Sequence, residues 1–263
     1  DLDGYEEFYK TRFSDLMIGF SSAVFGWGPE DTETLKNKYP NHSSKIFKTG
    51  APRVDLWRSD LSDYWKVPKG MPKRPFLLIS SNLSIVNGYR SFYESTKTRK
   101  ALGYFQRSPN LLKREFKRAS EGNLKTAFFI EAIEYLANNN NGYDIVLRPH
   151  PAEDPKVWQT YLQNIPNVHV IREGSITDWV HNAEAIIHNG CTTALEATIA
   201  NVPVITYRPL ENLSEQPEFF NDLGNKAENI NDLVDSISLA INNKNKFFSH
   251  YNQEISNQIK KLI

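Results

Sequence analysis

Five runs of this chain, 76–79, 143–148, 167–171, 184–188 and 203–207, are apolar almost without interruption, and stretches of helical period separate them. Strands with no polar face must be covered on both sides, which is the condition of a parallel sheet between two layers of helices. The pattern predicts an α/β, Rossmann-like parallel sheet with helices on both faces. The helices are expected across 87–100, 108–138, 155–164, 176–182, 192–200 and 230–242, with a polar terminal helix over 247–262. Crossovers in such a sheet are right-handed, and ligands bind outside the carboxyl ends of its strands. That rule gathers five turns on one edge: Ser80–Asn82, Arg148–Glu153, Arg172–Thr177, His188–Thr193 and Tyr207–Pro209.

Ahead of this regular region the elements are short. Ser22-Ala-Val-Phe25 reads as a strand ending in Gly26-Trp-Gly-Pro29, residues 31–39 as a helix with an acidic first turn, and Lys45-Ile-Phe-Lys48 as a second strand. Val67-Pro-Lys-Gly-Met-Pro-Lys-Arg-Pro75 is the best linker. The expected division is therefore 1–72 as the end of one domain plus linker, 73–245 as the sheet domain, and 246–263 as a C-terminal helix. The sequence opens on Asp1 rather than Met, so a fragment is expected, with an active site between two domains only half present.

Lys plus Arg equal Asp plus Glu at 31 each, which gives no global electrostatic case for nucleic acid. The single Cys191 excludes an internal disulfide framework and fits a reducing, cytoplasmic compartment. No apolar run reaches the roughly 18–20 residues that span a bilayer, and no signal-peptide pattern is present. His and Cys spacing offers no metal site. Gly-x-Gly-x-x-Gly, Walker and Gly-x-Ser-x-Gly motifs are absent, which argues against dinucleotide oxidoreduction, P-loop hydrolysis and serine hydrolysis; no metal and no cofactor are expected.

Two strand ends carry the candidate chemistry. In Asn189-Gly-Cys-Thr-Thr193, Gly190 permits an unusual turn. Thr192 and Thr193 open a helix whose free N–H groups and dipole favour an anion; an ordinary threonine N-cap fits the same residues. Glu196, one turn on, could accept both hydroxyls of a ribose or stabilise the helix dipole. In Arg148-Pro-His-Pro151 the flanking prolines fix the backbone around His150, holding its imidazole as a donor toward a phosphate or leaving group. Arg148 could bind a carboxylate or phosphate bidentately, or pair with Glu153. Main-chain groups around Gly174–Ile176, with Ser175, could read a nucleobase edge; Ser81 and Asn82 complete the nucleotide-binding set. A base or nucleophile for sugar transfer could come from Asp3, in the acidic start of the chain.

Phe25-Gly-Trp-Gly28, Thr49-Gly-Ala-Pro-Arg-Val-Asp55, Leu147-Arg-Pro-His-Pro151 and His188-Asn-Gly-Cys-Thr-Thr-Ala-Leu-Glu-Ala197, in that order, resemble the bacterial surface-carbohydrate (lipopolysaccharide) biosynthesis family. The Thr-Gly-x-Pro-Arg and Gly-x-Thr-Thr-x-x-Glu-Ala elements are also similar to the wider GT-B glycosyltransferase superfamily, including nucleotide-sugar 2-epimerases. The resemblance implies that 1–72 is the end of an N-terminal GT-B-like domain and that the sheet domain is a largely complete donor-binding half. It implies a glycosyltransferase using a CMP-linked ulosonic acid, such as Kdo or a sialic-acid-like sugar, and a glycan or glycolipid acceptor. It leaves room for peripheral contact with the inner membrane. In that reading His150, Pro151, Thr192 and Thr193 hold the CMP phosphate and Glu196 the ribose. A UDP-sugar 2-epimerase-like enzyme and a non-catalytic assembly module are the alternatives. The acceptor, the linkage, the stereochemical course and the oligomeric state are not encoded in any motif.

Overall fold

A computed structural model describes residues 13–107, 110–139, 142–210 and 219–249. The chain divides into two compact units, one ending at Arg58 and one beginning at Ser59, ahead of the Pro/Lys stretch. In the first, α1 (Asp15–Phe20) precedes β1 (Val24–Gly26), α2 (Pro29–Lys38), β2 (Ile46–Lys48) and α3 (Pro52–Asp55). β1 and β2 pair in parallel. Ile18, Leu35, Tyr39 and Ile46 form their core, with Phe13 and Val24 packed against it. Gly26 must lack a side chain, because a Cβ there would stand 2.2 Å from Thr32 Oγ1.

The second unit contains β3 (Phe76–Ser80), α4 (Ser84–Asn87), α5 (Phe92–Ala101), α6 (Leu111–Asn138) and β4 (Asp144–Arg148). It continues through α7 (Pro155–Leu162), β5 (Val168–Val170), α8 (Ile176–Asn182), β6 (Ala185–His188), α9 (Thr193–Ile199) and β7 (Val204–Tyr207). β8 (Asn225–Ala227), α10 (Ile230–Asn242) and α11 (Lys244–Ser249) close it. The six strands lie in the order β5-β4-β3-β6-β7-β8, all parallel. The expected Rossmann-like sheet is therefore present. Its central strands β3, β4, β6 and β7 are buried at every position, so burial of apolar surface on both faces holds it together. Phe129 of α6 meets Tyr207 of β7 edge-on at 5.2 Å.

Chain order runs outward to one side from β3 through β4 and β5, and to the other through β6, β7 and β8. The reversal lies between β3 and β6, and the crevice outside their carboxyl ends is the place such sheets use for ligands.

Two readings of the sequence are corrected, and a third falls largely outside the described residues. The helix over 87–100 is two helices, α4 and α5. Ser91 caps the second, its Oγ accepting from Glu94 N–H while the Glu94 carboxylate accepts from Ser91 N–H, a capping box that starts a new helix. The strand β8 was not anticipated. Gly224 before it has φ +76, and a Cβ there would lie 2.0 Å from the Val204 carbonyl oxygen, so only glycine lets the edge strand approach. The terminal helix is described only as Lys244–Ser249, and the rest of 247–262 lies outside the described residues.

Candidate functional site

Three turns at the switch point are tied together by side chains. From the end of β3, Asn82 donates its backbone N–H to Asn189 Oδ1 at 3.0 Å and its Nδ2 to the Gly190 carbonyl at 2.8 Å. This joins the β3 turn to the β6 turn. Glu153 joins the β3 turn to the β4 turn. Its side chain is fully buried and accepts from the Ser81 hydroxyl at 3.0 Å, Leu83 N–H at 2.8 Å, Trp158 Nε1 at 2.8 Å and His150 N–H at 3.3 Å. A carboxylate buried this deeply is tolerated because donors surround it.

His188 holds the β6 turn from beneath. Its Nδ1 accepts from Gly190 N–H at 3.0 Å and Cys191 N–H at 3.4 Å, which leaves the ring proton on Nε2. Nε2 therefore donates to Thr206 Oγ1 at 2.9 Å, and the Thr206 hydroxyl donates to the Leu223 carbonyl at 2.8 Å. Burial pushes the imidazole pKa down to about 3, so the ring is neutral and the relay runs one way. Cys191 lies buried beside Ser80, its Sγ 3.4 Å from Ser80 Oγ, and burial raises the thiol pKa. It is not poised as a nucleophile.

The predicted residues divide by burial. Asn82, His150, Pro151, Ser175 and Thr192 are exposed at the sheet edge, Ile176 is half-buried, and Ser81, Arg148, Gly190, Thr193 and Glu196 are buried. Asp3 lies outside the described residues. His150 Nδ1 accepts from Ala152 N–H at 3.1 Å, so in the neutral ring the proton sits on Nε2, which is left to donate outward. Pro151 offers its carbonyl to Arg172 Nη2 at 2.6 Å. Ser175 caps α8, accepting from Thr177 N–H. Thr192 begins α9 without capping it through its side chain, and Thr193 Oγ1 accepts from Ser80 Oγ at 3.2 Å. Glu196 sits in the first turn of α9, buried at 4 % exposure.

Arg148 departs from both sequence readings. It neither pairs with Glu153 nor presents its guanidinium for a bidentate ligand. Nη1 donates to the Glu173 carbonyl at 2.6 Å, Nη2 to those of Gly174 at 2.9 Å and Arg172 at 3.2 Å, and the group stacks over Trp179 at 5.3 Å. Its planar fork suits three carbonyls of one turn. Arg148 thus fixes the 172–174 turn, where Gly174 takes φ +79.

A cavity of about 120 Å³ opens beside the switch point, between the turns and α6. Asn82, Asn189 and Gly190 line it with the cations Arg118, Lys125 and Arg208 and the acid Glu121. Asn221, 8 % exposed, also lines it, and its Oδ1 has no hydrogen-bond partner; neither has Asn189 Nδ2, although both atoms are shielded from water. Arg208 lies in the Tyr207–Pro209 turn that the sequence placed on this edge but was not named as a site residue, and nothing in the sequence marks Asn221 as belonging to it. The volume is below the roughly 300–1,000 Å³ of complete small-molecule pockets, so the cavity fits one part of a larger ligand.

No protein-family model matches this sequence, and no curated protein matches it. Solved structures share its fold. A Listeria monocytogenes protein assigned as a UDP-N-acetylglucosamine 2-epimerase superposes with a TM-score of 0.51 at 16 % identity, over 93 % of this chain and 57 % of that one. A histidine variant of the wall teichoic acid polymerase TagF, soaked with CDPG, gives 0.50 at 13 % identity, over 97 % of this chain and 54 % of that one. The chain spans little more than half the length of either neighbour. At this identity the likeness establishes the fold.

Proposed function

We propose that this chain is the donor-binding half of a GT-B-type glycosyltransferase that uses a nucleotide-activated sugar in bacterial surface-polysaccharide assembly. The observation that carries the reading is the switch-point crevice, where three turns are locked by Glu153, Asn82 and His188 and border a cavity lined by Arg118, Lys125 and Arg208 against one acid, Glu121. Preorganised donors facing a developing negative charge stabilise a departing phosphate. His150, with Nε2 as its outward donor, is the residue assigned to that leaving group. Thr192, at the start of α9, is assigned the same phosphate, and the 173–176 turn held by Arg148 is assigned the base.

The finer proposal is a CMP-linked ulosonic acid, supported by the His-Pro element and the paired threonines. Arg148 is spent on its turn, so the donor's carboxylate falls to the cavity cations, Arg208 foremost. Calorimetry with CMP, UDP and GDP tests the nucleotide, and CMP is expected to bind at least tenfold more tightly. Equal binding removes the CMP assignment, and no binding of any nucleotide removes the whole reading. His150→Ala is expected to lower transfer by about 10²–10⁴-fold, the range of a positioned acid–base group, with the exposed side chain leaving the fold intact. An epimerase would instead convert UDP-N-acetylglucosamine with no acceptor, which product NMR detects.

A further inference from the structure

The connection from β3 to the long helix α6 has a charge unlike the rest of the molecule. Residues 89–118 hold nine Lys or Arg and two Glu, a net +7 in a chain whose total is zero, so all other residues together carry −7. One of the two acids is used internally. Glu115 of α6 is buried and binds Arg99 of α5 and Arg118 of its own helix, which locks α5 against α6. Arg90, Lys97, Lys100, Lys113, Arg114 and Lys117 are exposed to water.

Their arrangement is regular. Tyr93, Lys97 and Lys100 follow at i, i+4 and i+7, so they share one face of α5, and all three are exposed. On α6, Leu112 and Phe116 form an exposed i, i+4 stripe flanked by exposed Lys113 and Lys117. The two faces join where the Tyr93 ring meets Phe116 at 6.2 Å, with Phe92 edge-on to Phe116 at 4.9 Å. Leu102, at the end of α5, is 78 % exposed. Exposed apolar side chains gathered in this way mark an interaction surface.

Aliphatic side chains beside a tyrosine and a border of lysines are the composition of a face that lies at a headgroup boundary. A nucleic-acid face would stack bases on rings and has no use for the two leucines. Among the described residues no helix is long and apolar enough to cross a membrane, so this contact is one of surface attachment. We infer that α5 and the first turns of α6 dock on a bilayer containing anionic phospholipid. Lys97, Lys100 and Lys113 meet the headgroups, with Lys117 beside them in an ion pair with Glu121, while Tyr93, Leu102, Leu112 and Phe116 enter the boundary beneath them. From Phe116, α6 runs roughly 14 Å to Lys125 at the rim of the switch-point cavity, so the docked face and the cavity share one rigid helix. The docking face does not depend on which donor the cavity takes.

Co-sedimentation of the full chain with vesicles provides the test. It is expected to bind vesicles of equal parts phosphatidylglycerol and phosphatidylcholine, to release at high salt, and to ignore pure phosphatidylcholine. Each lysine near such a surface contributes roughly fivefold, so the triple variant Lys97→Gln, Lys100→Gln, Lys113→Gln should bind on the order of a hundredfold more weakly. The control Lys69→Gln, Lys73→Gln, Lys226→Gln removes the same charge elsewhere and should bind as the parent does. Leu112→Ser should weaken binding while keeping its salt dependence. Equal binding to both vesicle types, no binding to either, or equal losses in the two triple variants would overturn the inference. So would tighter binding to a single-stranded RNA probe that depends on the same three lysines.

Discussion

Acidifying this protein from pH 7 to pH 5 is expected to remove about 2 kcal/mol of stability through His188 alone. The imidazole is fully buried, and burial lowers its pKa from the ordinary 6.5 to about 3. Between those values the unfolded chain takes up a proton that the folded chain refuses. Stability is therefore complete above the unfolded value and falls as the pH drops through the window toward the folded one. At about 1.36 kcal/mol for each pH unit crossed, the loss approaches roughly 5 kcal/mol near pH 3. The geometry gives the same sign: a proton on Nδ1 would remove the acceptor now serving Gly190 and Cys191 N–H. Urea unfolding of the parent and His188→Gln at pH 7, 6 and 5 measures the effect. The parent should lose about 2 kcal/mol more than the variant over this range, and the His188 ring should give flat NMR shifts down to at least pH 5. Parallel stability curves, or a ring that titrates above about pH 5, would refute the reasoning.

Two further changes probe the scaffold of the site. Glu153→Gln keeps the shape but turns an NH₂ toward donors from Ser81, Leu83 and Trp158; a loss of about 3 kcal/mol is expected in denaturant unfolding, and a loss below about 1 kcal/mol would contradict the buried-acceptor account. Arg148→Lys cannot span the carbonyls of Arg172, Glu173 and Gly174; it should cost about 2–4 kcal/mol and speed amide exchange across 174–177, whereas unchanged exchange would mean that the turn holds itself.

The sheet was legible because its central strands are buried on both faces, and a fully apolar run has few other uses. β8 escaped for the opposite reason. As an edge strand it reads Asn225-Lys-Ala227, half-exposed and polar, and only the Gly224 approach to Val204 betrays it once the fold is known. The break between α4 and α5 was readable from Ser91-x-x-Glu94, but helical period on both sides of Gly88 outweighed it. An isolated bridge from Gly88 to Glu153 fixes that break, and it depends on a residue 65 positions away.

For the candidate site, the sequence showed which turns share an edge but not what their side chains do. The strand order does bring these turns to one edge, yet Arg148 and Glu153 could not be assigned from their own neighbourhood. The carbonyls that hold Arg148 come from the end of the next strand, and two of the donors that hold Glu153, Ser81 and Leu83, come from the turn after β3. The reason is physical. Turns at a strand end have no ladder to satisfy their backbone groups, so a sheet edge that must keep a fixed shape needs side chains to do it. Here a buried cation, a buried acid and a neutral buried imidazole do so, each fully engaged because an unpaired charge inside would be too costly. Ionisable residues at such an edge therefore serve the turns first. His150 and Thr192 stay exposed on the same edge, and they are the residues to which the proposed function gives the ligand. Burial, which no motif records, is what separates the two sets.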